Sequence, residues 1–191
     1  MGSGFLKEDM ENAIADMETL AKATNTEPFE IYLLGGAGCV LAGYLERATR
    51  DFDIIDLDYA ASLGRVMKPL EPFDLIEPKL AALAAGYKAR AARLPQFEYL
   101  PVYVLSREDI IISKLARLNE RDFHDISELL PLSDISLIFT LLKSLLDGDL
   151  LPKAKNTLLE NMARCLEEIA AKGNFHVQDY LQQFEELRKR F

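Results

Sequence analysis

Two carboxylates spaced two residues apart are the clearest chemical signal in this chain. Asp51 and Asp53 lie in the segment Asp51-Phe-Asp-Ile-Ile-Asp-Leu-Asp58, which reads as a strand with apolar residues between its acids. Side chains at i and i+2 of a strand point to one face, so both carboxylates can reach one hard cation such as magnesium. The pair predicts metal-assisted chemistry on a nucleoside triphosphate. The alternative interpretation is an acidic edge strand that faces solvent.

A glycine doublet, Gly35-Gly36, precedes these acids. It lies between the apolar runs Ile31-Tyr-Leu-Leu34 and Cys39-Val-Leu-Ala42, a pattern that predicts a strand, a glycine turn and a helix. Backbone N–H groups at such a turn can approach a phosphate. One alternative is a plain turn that uses glycine for its positive φ. Another is the dinucleotide-binding turn of an oxidoreductase, but Leu41 stands where its third glycine belongs.

Charged residues recur at helical spacing further along the chain. The residues that follow a 3-4-4 spacing are Lys114, Arg117, Arg121 and Asp125. If the helix that begins near Ser106 continues through them, they share one face. Aimed at the acidic strand, that face would supply cations for a triphosphate. The alternative is a solvated face with intrahelical pairs such as Arg121–Asp125.

The elements that must position these residues divide the chain into two parts. Up to residue 105 the patterns predict helices over 5–24, 36–45, 60–67 and 78–92, and strands over 30–34, 51–58 and 97–105. Further helices are predicted near 121–130, 134–147, 152–172 and 176–190. The predicted fold class is α/β (α+β), with a mixed sheet and flanking helices over 1–105 and a C-terminal helical bundle over 106–191.

The net charge, the cysteine content and the hydropathy of the chain argue against several classes of protein. The chain has 191 residues and a net charge of −9, which argues against a general electrostatic grip on nucleic acid but allows RNA to bind through a local basic patch. Cys39 and Cys165 are too few for a disulfide framework or a zinc site, and we expect both to be buried thiols in a reducing cytosol. No stretch approaches the roughly 20 apolar residues of a membrane span. We therefore predict a cytoplasmic protein with no membrane partner.

Taken in order, the three motifs resemble the nucleotidyltransferase superfamily, in particular small bacterial proteins related to the AbiEii-type toxins and the DUF6036 group. The superfamily pattern is a Gly-[Gly/Ser] turn, a short helix and Arg-x-[Ser/Thr]-x-Asp-x-Asp. The chain has Gly35-Gly36 and Arg47-Ala-Thr49-Arg-Asp51-Phe-Asp53. The AbiEii-like branch adds a downstream motif, which here is Lys114-Leu-Ala-Arg117 followed by Arg121-Asp122-Phe-His-Asp125. The resemblance covers residues 30 to 130.

The resemblance implies a magnesium-dependent enzyme with a nucleotidyltransferase-like core. Such an enzyme transfers a nucleoside monophosphate from a nucleoside triphosphate to a hydroxyl of RNA or protein, as in toxin–antitoxin or phage-defence systems, where a cognate antitoxin is a further partner. The implied catalytic residues are Asp51, Asp53, Lys114, Asp122 and Asp125, with Asp51 and Asp53 as the metal ligands. The implied nucleotide-binding residues are Gly35, Gly36, Arg47, Thr49 and Arg121. Lys114 is expected near the two aspartates, and Asp122 or Asp125 is expected to orient the acceptor or to fix Lys114.

One departure from the family pattern concerns a third acid. Such enzymes place an acid on the strand before the Lys114 helix, where it can activate the attacking hydroxyl. In this chain Pro101 occupies the expected position, and the nearby Glu98 has the opposite strand parity. A competing hypothesis is therefore a catalytically degenerate fold that is kept as a binding or partner-interaction module. The intact Asp51–Asp53 pair argues against that hypothesis.

Overall fold

A computed structural model describes residues 4–171 and 178–191. These residues form two compact units. The first unit contains the chain up to Leu80 together with Gly86–Ser106, and the second contains Ala81–Ala85 together with Arg107–Phe191. Within the described ranges, no helix is both long enough and apolar enough to span a membrane. The domain division at residues 105 and 106 stays a prediction.

A five-stranded mixed sheet forms the centre of the first unit. Its strands are β1 (Ile31–Leu34), β2 (Phe52–Ile55), β3 (Phe73–Ile76), β4 (Ala92–Arg93) and β5 (Val102–Val104). Their order across the sheet is β3-β2-β1-β5-β4. The pairs β1–β5 and β2–β3 are parallel, whereas β1–β2 and β4–β5 are antiparallel. The predicted mixed sheet with flanking helices is confirmed.

Helices cover the sheet with apolar side chains. The first unit contains α1 (Lys7–Ala23), α2 (Gly35–Leu41), α3 (Gly64–Met67) and α4 (Tyr87–Arg90). Helix α2 packs on β1, β2 and β5, while α1 packs on α2 and α3. Leu33 and Val104 approach Gly38 of α2 and are fully buried, which identifies the covered face of the sheet. Strand alternation then places Tyr32, Leu34 and Asp53 on the opposite face.

The second unit is helical in its described part. It contains α5 (Arg107–Leu115), α6 (Glu120–Leu129), α7 (Ile135–Asp147), α8 (Pro152–Ala171) and α9 (Gln178–Arg188). Helix α5 packs against α6, α7 and α8, and its residues Ile110, Ile111 and Leu115 are fully buried. These helices match the predicted C-terminal helices closely, because each has a long apolar stripe to bury. Residues 172–177, at the join of the last two predicted helices, lie outside the described residues.

The segment 78–92 was wrongly predicted as one helix. Only its last part is helical, as the four-residue α4, and the backbone before it takes positive φ at Ala82 (50°) and Gly86 (79°). Alanine favours a helix locally but offers little apolar area for tertiary packing to stabilise. Two short strands were missed: β3, which follows Pro72, and the two-residue β4.

Candidate functional site

The glycine doublet forms the junction between β1 and α2. Strand β1 ends at Leu34, and α2 begins directly at Gly35, whose φ of +61° lies in the left-handed region. A Cβ atom at Gly35 would also collide with the Asp53 carboxylate oxygen Oδ2. Glycine is therefore required here twice, once for the backbone conformation and once for the close approach of the Asp53 side chain.

The second glycine lies beneath the loop that leads into β2. A Cβ atom at Gly36 would stand 2.6 Å from Thr49 Oγ1 and 3.0 Å from Arg47 Nη2. Thr49 is 2% exposed, and its backbone exchanges two hydrogen bonds with Phe5: Phe5 N donates to Thr49 O at 2.6 Å, and Thr49 N donates to Phe5 O at 3.0 Å. This bridge fixes the loop, so that Arg47, Thr49 and Asp53 all lie against the glycine turn.

Asp53 lies on β2 between two neighbouring strands. The sheet register sets it opposite Leu34 of β1 on one side and opposite Asp74 of β3 on the other. Paired residues of neighbouring strands project from the same face, so Asp53 and Asp74 share the face opposite α2. Asp53 is half-buried and Asp74 is exposed.

Asp74 was missing from the predicted site because β3 was not predicted. The sequence held a signal, since Phe73-Asp-Leu-Ile76 repeats the pattern of Phe52-Asp-Ile-Ile55. The third acid expected near Pro101 is not on β5, where Pro101 precedes the strand and accepts a hydrogen bond from Ile31 N at 2.9 Å. The acid next to Asp53 is Asp74 of β3, which flanks β2 on the side away from β1 and β5.

Asp51 stands just outside the strand. It is half-buried at a bend, and β2 begins one residue later at Phe52, so strand alternation alone does not align it with Asp53 as predicted. Within the described ranges, no three His, Cys, Asp or Glu side chains are grouped so that they could hold a metal ion by themselves. The oxygen donors of Asp51 and Asp53 fit magnesium that is shared with substrate phosphates, because magnesium commonly takes only one or two protein carboxylates.

The downstream charged motif forms a buried ion cluster within the second unit. Lys114 Nζ donates to Asp125 Oδ2 at 2.7 Å and to Asp122 Oδ1 at 3.1 Å. Arg117 donates two hydrogen bonds to the Asp122 carboxylate, from Nε at 2.8 Å and from Nη2 at 3.1 Å. Lys114, Asp122 and Asp125 are at most 3% exposed. Burial alone would raise the pKa of the Asp122 carboxyl, but the bonds and charges of Arg117 and Lys114 outweigh it and lower that pKa below its usual value.

The cluster does not use the continuous helix that its spacing suggested. Helix α5 ends at Leu115, Leu118 takes a φ of 38°, and Asn119 caps α6 by accepting a hydrogen bond from Asp122 N at 2.9 Å. The turn brings Lys114 to Asp122 and Asp125 and leaves Arg121 exposed. The geometry matches the expectation that these acids fix Lys114. The expected approach of Lys114 to the aspartates stays a prediction.

Comparison with known families agrees with this arrangement of motifs. Residues 8–172 match the model of a family described as "Nucleotidyltransferase of unknown function (DUF6036)". The chain belongs to this family. In this DUF6036 nucleotidyltransferase the match spans the glycine turn, the acidic strands and the buried ion cluster. Comparisons with curated proteins and with solved structures yield no match.

Proposed function

We propose that this DUF6036 nucleotidyltransferase transfers a nucleoside monophosphate from a nucleoside triphosphate to a hydroxyl group of an acceptor. The observation that carries the proposal is the convergence at the glycine turn. The Asp53 carboxylate lies directly against Gly35, and the side chains of Arg47 and Thr49 lie against Gly36. A cation, a hydroxyl and a carboxylate thus lie against the buried Gly35 and the half-buried Gly36 at one end of β1, a combination that suits a triphosphate.

The roles proposed for these residues follow from their chemistry. The Gly35 and Gly36 backbone and the Thr49 hydroxyl contact triphosphate oxygens, and the Arg47 guanidinium neutralises their charge. Asp51 and Asp53 would hold magnesium, which when bound neutralises phosphate charge and aligns the reacting groups. The acceptor oxygen attacks the α-phosphorus, the bond to the β-phosphate oxygen breaks, and pyrophosphate leaves. Asp74, on the same face as Asp53, accepts the proton of the acceptor hydroxyl.

The downstream cluster contributes by holding its helices in place. Lys114 donates hydrogen bonds to Asp122 and Asp125, so its first role is to stabilise the turn between α5 and α6. A contact between Lys114 or Arg121 and substrate phosphate belongs to the same proposal. So does a cytoplasmic role in a toxin–antitoxin or phage-defence system, with a cognate antitoxin as partner.

Titration calorimetry with each nucleoside triphosphate and magnesium tests the proposal. We expect the wild type to bind at least one triphosphate and the Asp51→Asn/Asp53→Asn variant to lose most of that affinity. Asp16→Asn, which removes an exposed acid from α1, is the matched control and should bind as the wild type does. If no triphosphate binds to the wild type, the proposal is wrong.

The second candidate is a nucleotidyltransferase fold that binds but does not transfer. It is favoured by one observation: Pro101 stands where the family pattern places a third acid. The two candidates differ in product formation. Triphosphate binding without label transfer to RNA or protein would favour the binding module.

A further inference from the structure

Three tyrosines form a cluster on the sheet face that carries Asp53. Tyr32 of β1 lies opposite Tyr103 of β5, and their rings stack with centroids 4.8 Å apart and an interplanar angle of 10°. Tyr87 of α4 meets Tyr32 edge to face, with centroids 6.1 Å apart. Tyr32 is 3% exposed, whereas Tyr87 and Tyr103 are half-buried. We refer to Tyr32, Tyr87 and Tyr103 as the tyrosine array.

The array lies beside a basic stretch of an acidic protein. Residues 86–97 contain Lys88, Arg90 and Arg93 and no acid, although the chain as a whole carries a net charge of −9. Lys88 Nζ stands 5.2 Å from the centre of the Tyr32 ring. Arg93 is exposed on the edge strand β4, where the register sets it opposite Tyr103.

The charges around the array are not all positive. Glu30 Oε2 lies 3.9 Å from Lys88 Nζ, and both side chains are about half exposed, so this pair is only weakly held. Arg93 Nη2 donates to the backbone oxygen of Phe97 at 3.1 Å, which fixes its guanidinium at the edge of the sheet. Cations therefore flank the aromatic rings on two sides.

The array is close to the proposed reaction site along the sheet. Tyr32 precedes Leu34 by two residues on β1, and Leu34 is the register partner of Asp53. Two residues of a strand span about 7 Å, so the array and Asp53 are neighbours on one face. A nucleotide stacked on the array could present an adjoining hydroxyl to Asp53 and Asp74.

We propose that the tyrosine array, with Lys88 and Arg93, is the docking surface for a single-stranded RNA acceptor. The inference rests on the proposed function and names the class of its acceptor. Aromatic rings stack with any unpaired base, and cations beside them, here Lys88 of α4 and Arg93 of β4, can contact the phosphates of a strand. A free triphosphate is a less suitable occupant, because its phosphates are assigned to the glycine turn and would leave Lys88 and Arg93 without a phosphate to bind.

Fluorescence anisotropy with a labelled single-stranded RNA tests the proposal. An RNA of about 12 nucleotides is suitable, because this length lies within the usual footprint of single-strand binders. We expect the Lys88→Ala/Arg93→Ala variant to bind more weakly and to lower the slope of log affinity against log salt by about 1.4, since each phosphate contact on a single strand contributes about 0.7. Tyr103→Val should weaken binding roughly tenfold through lost stacking. Lys153→Ala, which removes an exposed charge from α8, is the matched control and should bind as the wild type does.

Parallel titrations with triphosphate separate this inference from the proposed function. The array variants should keep wild-type triphosphate affinity, whereas Asp53→Asn should lose it. RNA binding by the array without any triphosphate binding would support the surface and contradict the proposed function. Tyr87→Leu, on the short α4 helix, provides a second stacking variant if melting curves show that Tyr103→Val is unfolded.

Several results would overturn the docking surface. The docking surface would be overturned if the wild type did not bind the RNA. It would also be overturned if the array variants bound the RNA as tightly as Lys153→Ala does. Equal competition by duplex RNA would exclude stacking on unpaired bases. A loss of triphosphate affinity as large as the loss of RNA affinity would assign the array to the free nucleotide instead.

Discussion

At the scale of single residues, the site depends on how closely backbone and carboxylate approach at Gly35. Gly43 offers a matched comparison, because both glycines have positive φ (+61° and +69°) but nothing lies within 4 Å of a Cβ atom at Gly43. Alanine at either position forces a rare conformation that costs about 1–3 kcal/mol. Only at Gly35 would the new methyl group also displace Asp53.

We therefore expect Gly35→Ala to reduce both the free energy of unfolding and triphosphate affinity. Gly43→Ala should reduce stability alone. Urea unfolding and calorimetric titration of the two variants measure the two effects. Equal triphosphate affinity in both variants would show that the position of the Asp53 carboxylate does not matter for binding.

The reactivity of the two cysteine thiols tests how tightly the residues around them pack. Cys39 and Cys165 are both fully buried, and burial raises the pKa of the Cys165 thiol to about 12. Because both thiols are buried, they should be unreactive toward a thiol reagent at neutral pH until urea unfolds the protein. The single variants Cys39→Ser and Cys165→Ser show which thiol is labelled, and therefore which of the two units has opened. Rapid labelling of either thiol in native buffer would contradict the packing described here.

At the scale of elements, the predictions succeeded where an apolar stripe is long. Helices α7 and α8 were predicted to within a residue or two because many turns bury one consistent face. The prediction failed for the segment 78–92 and for β3, since alanine propensity and a four-residue strand leave little pattern to read. At the site, Gly35, Gly36, Arg47, Thr49 and Asp53 were named from the sequence, whereas Asp74 depends on a strand register that no local pattern encodes.

The buried ion cluster stabilises the turn between α5 and α6. Lys114→Met would leave Asp125 without this ammonium partner in a fully buried position, and breaking such a pair costs about 3–5 kcal/mol. We expect a large drop in the urea midpoint. Arg164→Met, which breaks the exposed pair with Glu168, is the control and should change the midpoint little. Equal effects of the two substitutions would mean that the buried cluster is not structural.

The same cluster makes stability depend on acid pH. The folded-state pKa of Asp122 lies below its usual value of 3.8, so its stabilising contribution is complete above that value and is lost as pH falls through the folded-state pKa. Asp122→Asn should therefore be less stable than the wild type at pH 7. The difference should shrink as pH falls below 3.8. Urea unfolding at a series of pH values measures it, and a constant difference would contradict the assigned pKa shift.

At the scale of the whole molecule, family membership and site geometry lead to one activity. The family match covers residues 8–172, and within it the side chains of Arg47, Thr49 and Asp53 lie against the glycine turn, with Asp74 as the register partner of Asp53. The strongly acidic composition leaves residues 86–97 as a local basic segment for an RNA acceptor. The nucleotidyl transfer to RNA that we propose would account for both features.

The most direct measurement is label transfer. The protein is incubated with magnesium, total RNA and each α-phosphate-labelled nucleoside triphosphate in turn, and the RNA and protein fractions are separated and counted. We predict that the wild type moves label from at least one triphosphate into RNA, that Asp53→Asn abolishes this transfer, and that Asp16→Asn retains it. Absence of label from both fractions, with a folded wild type and all four triphosphates, would contradict the assignment of a transferase.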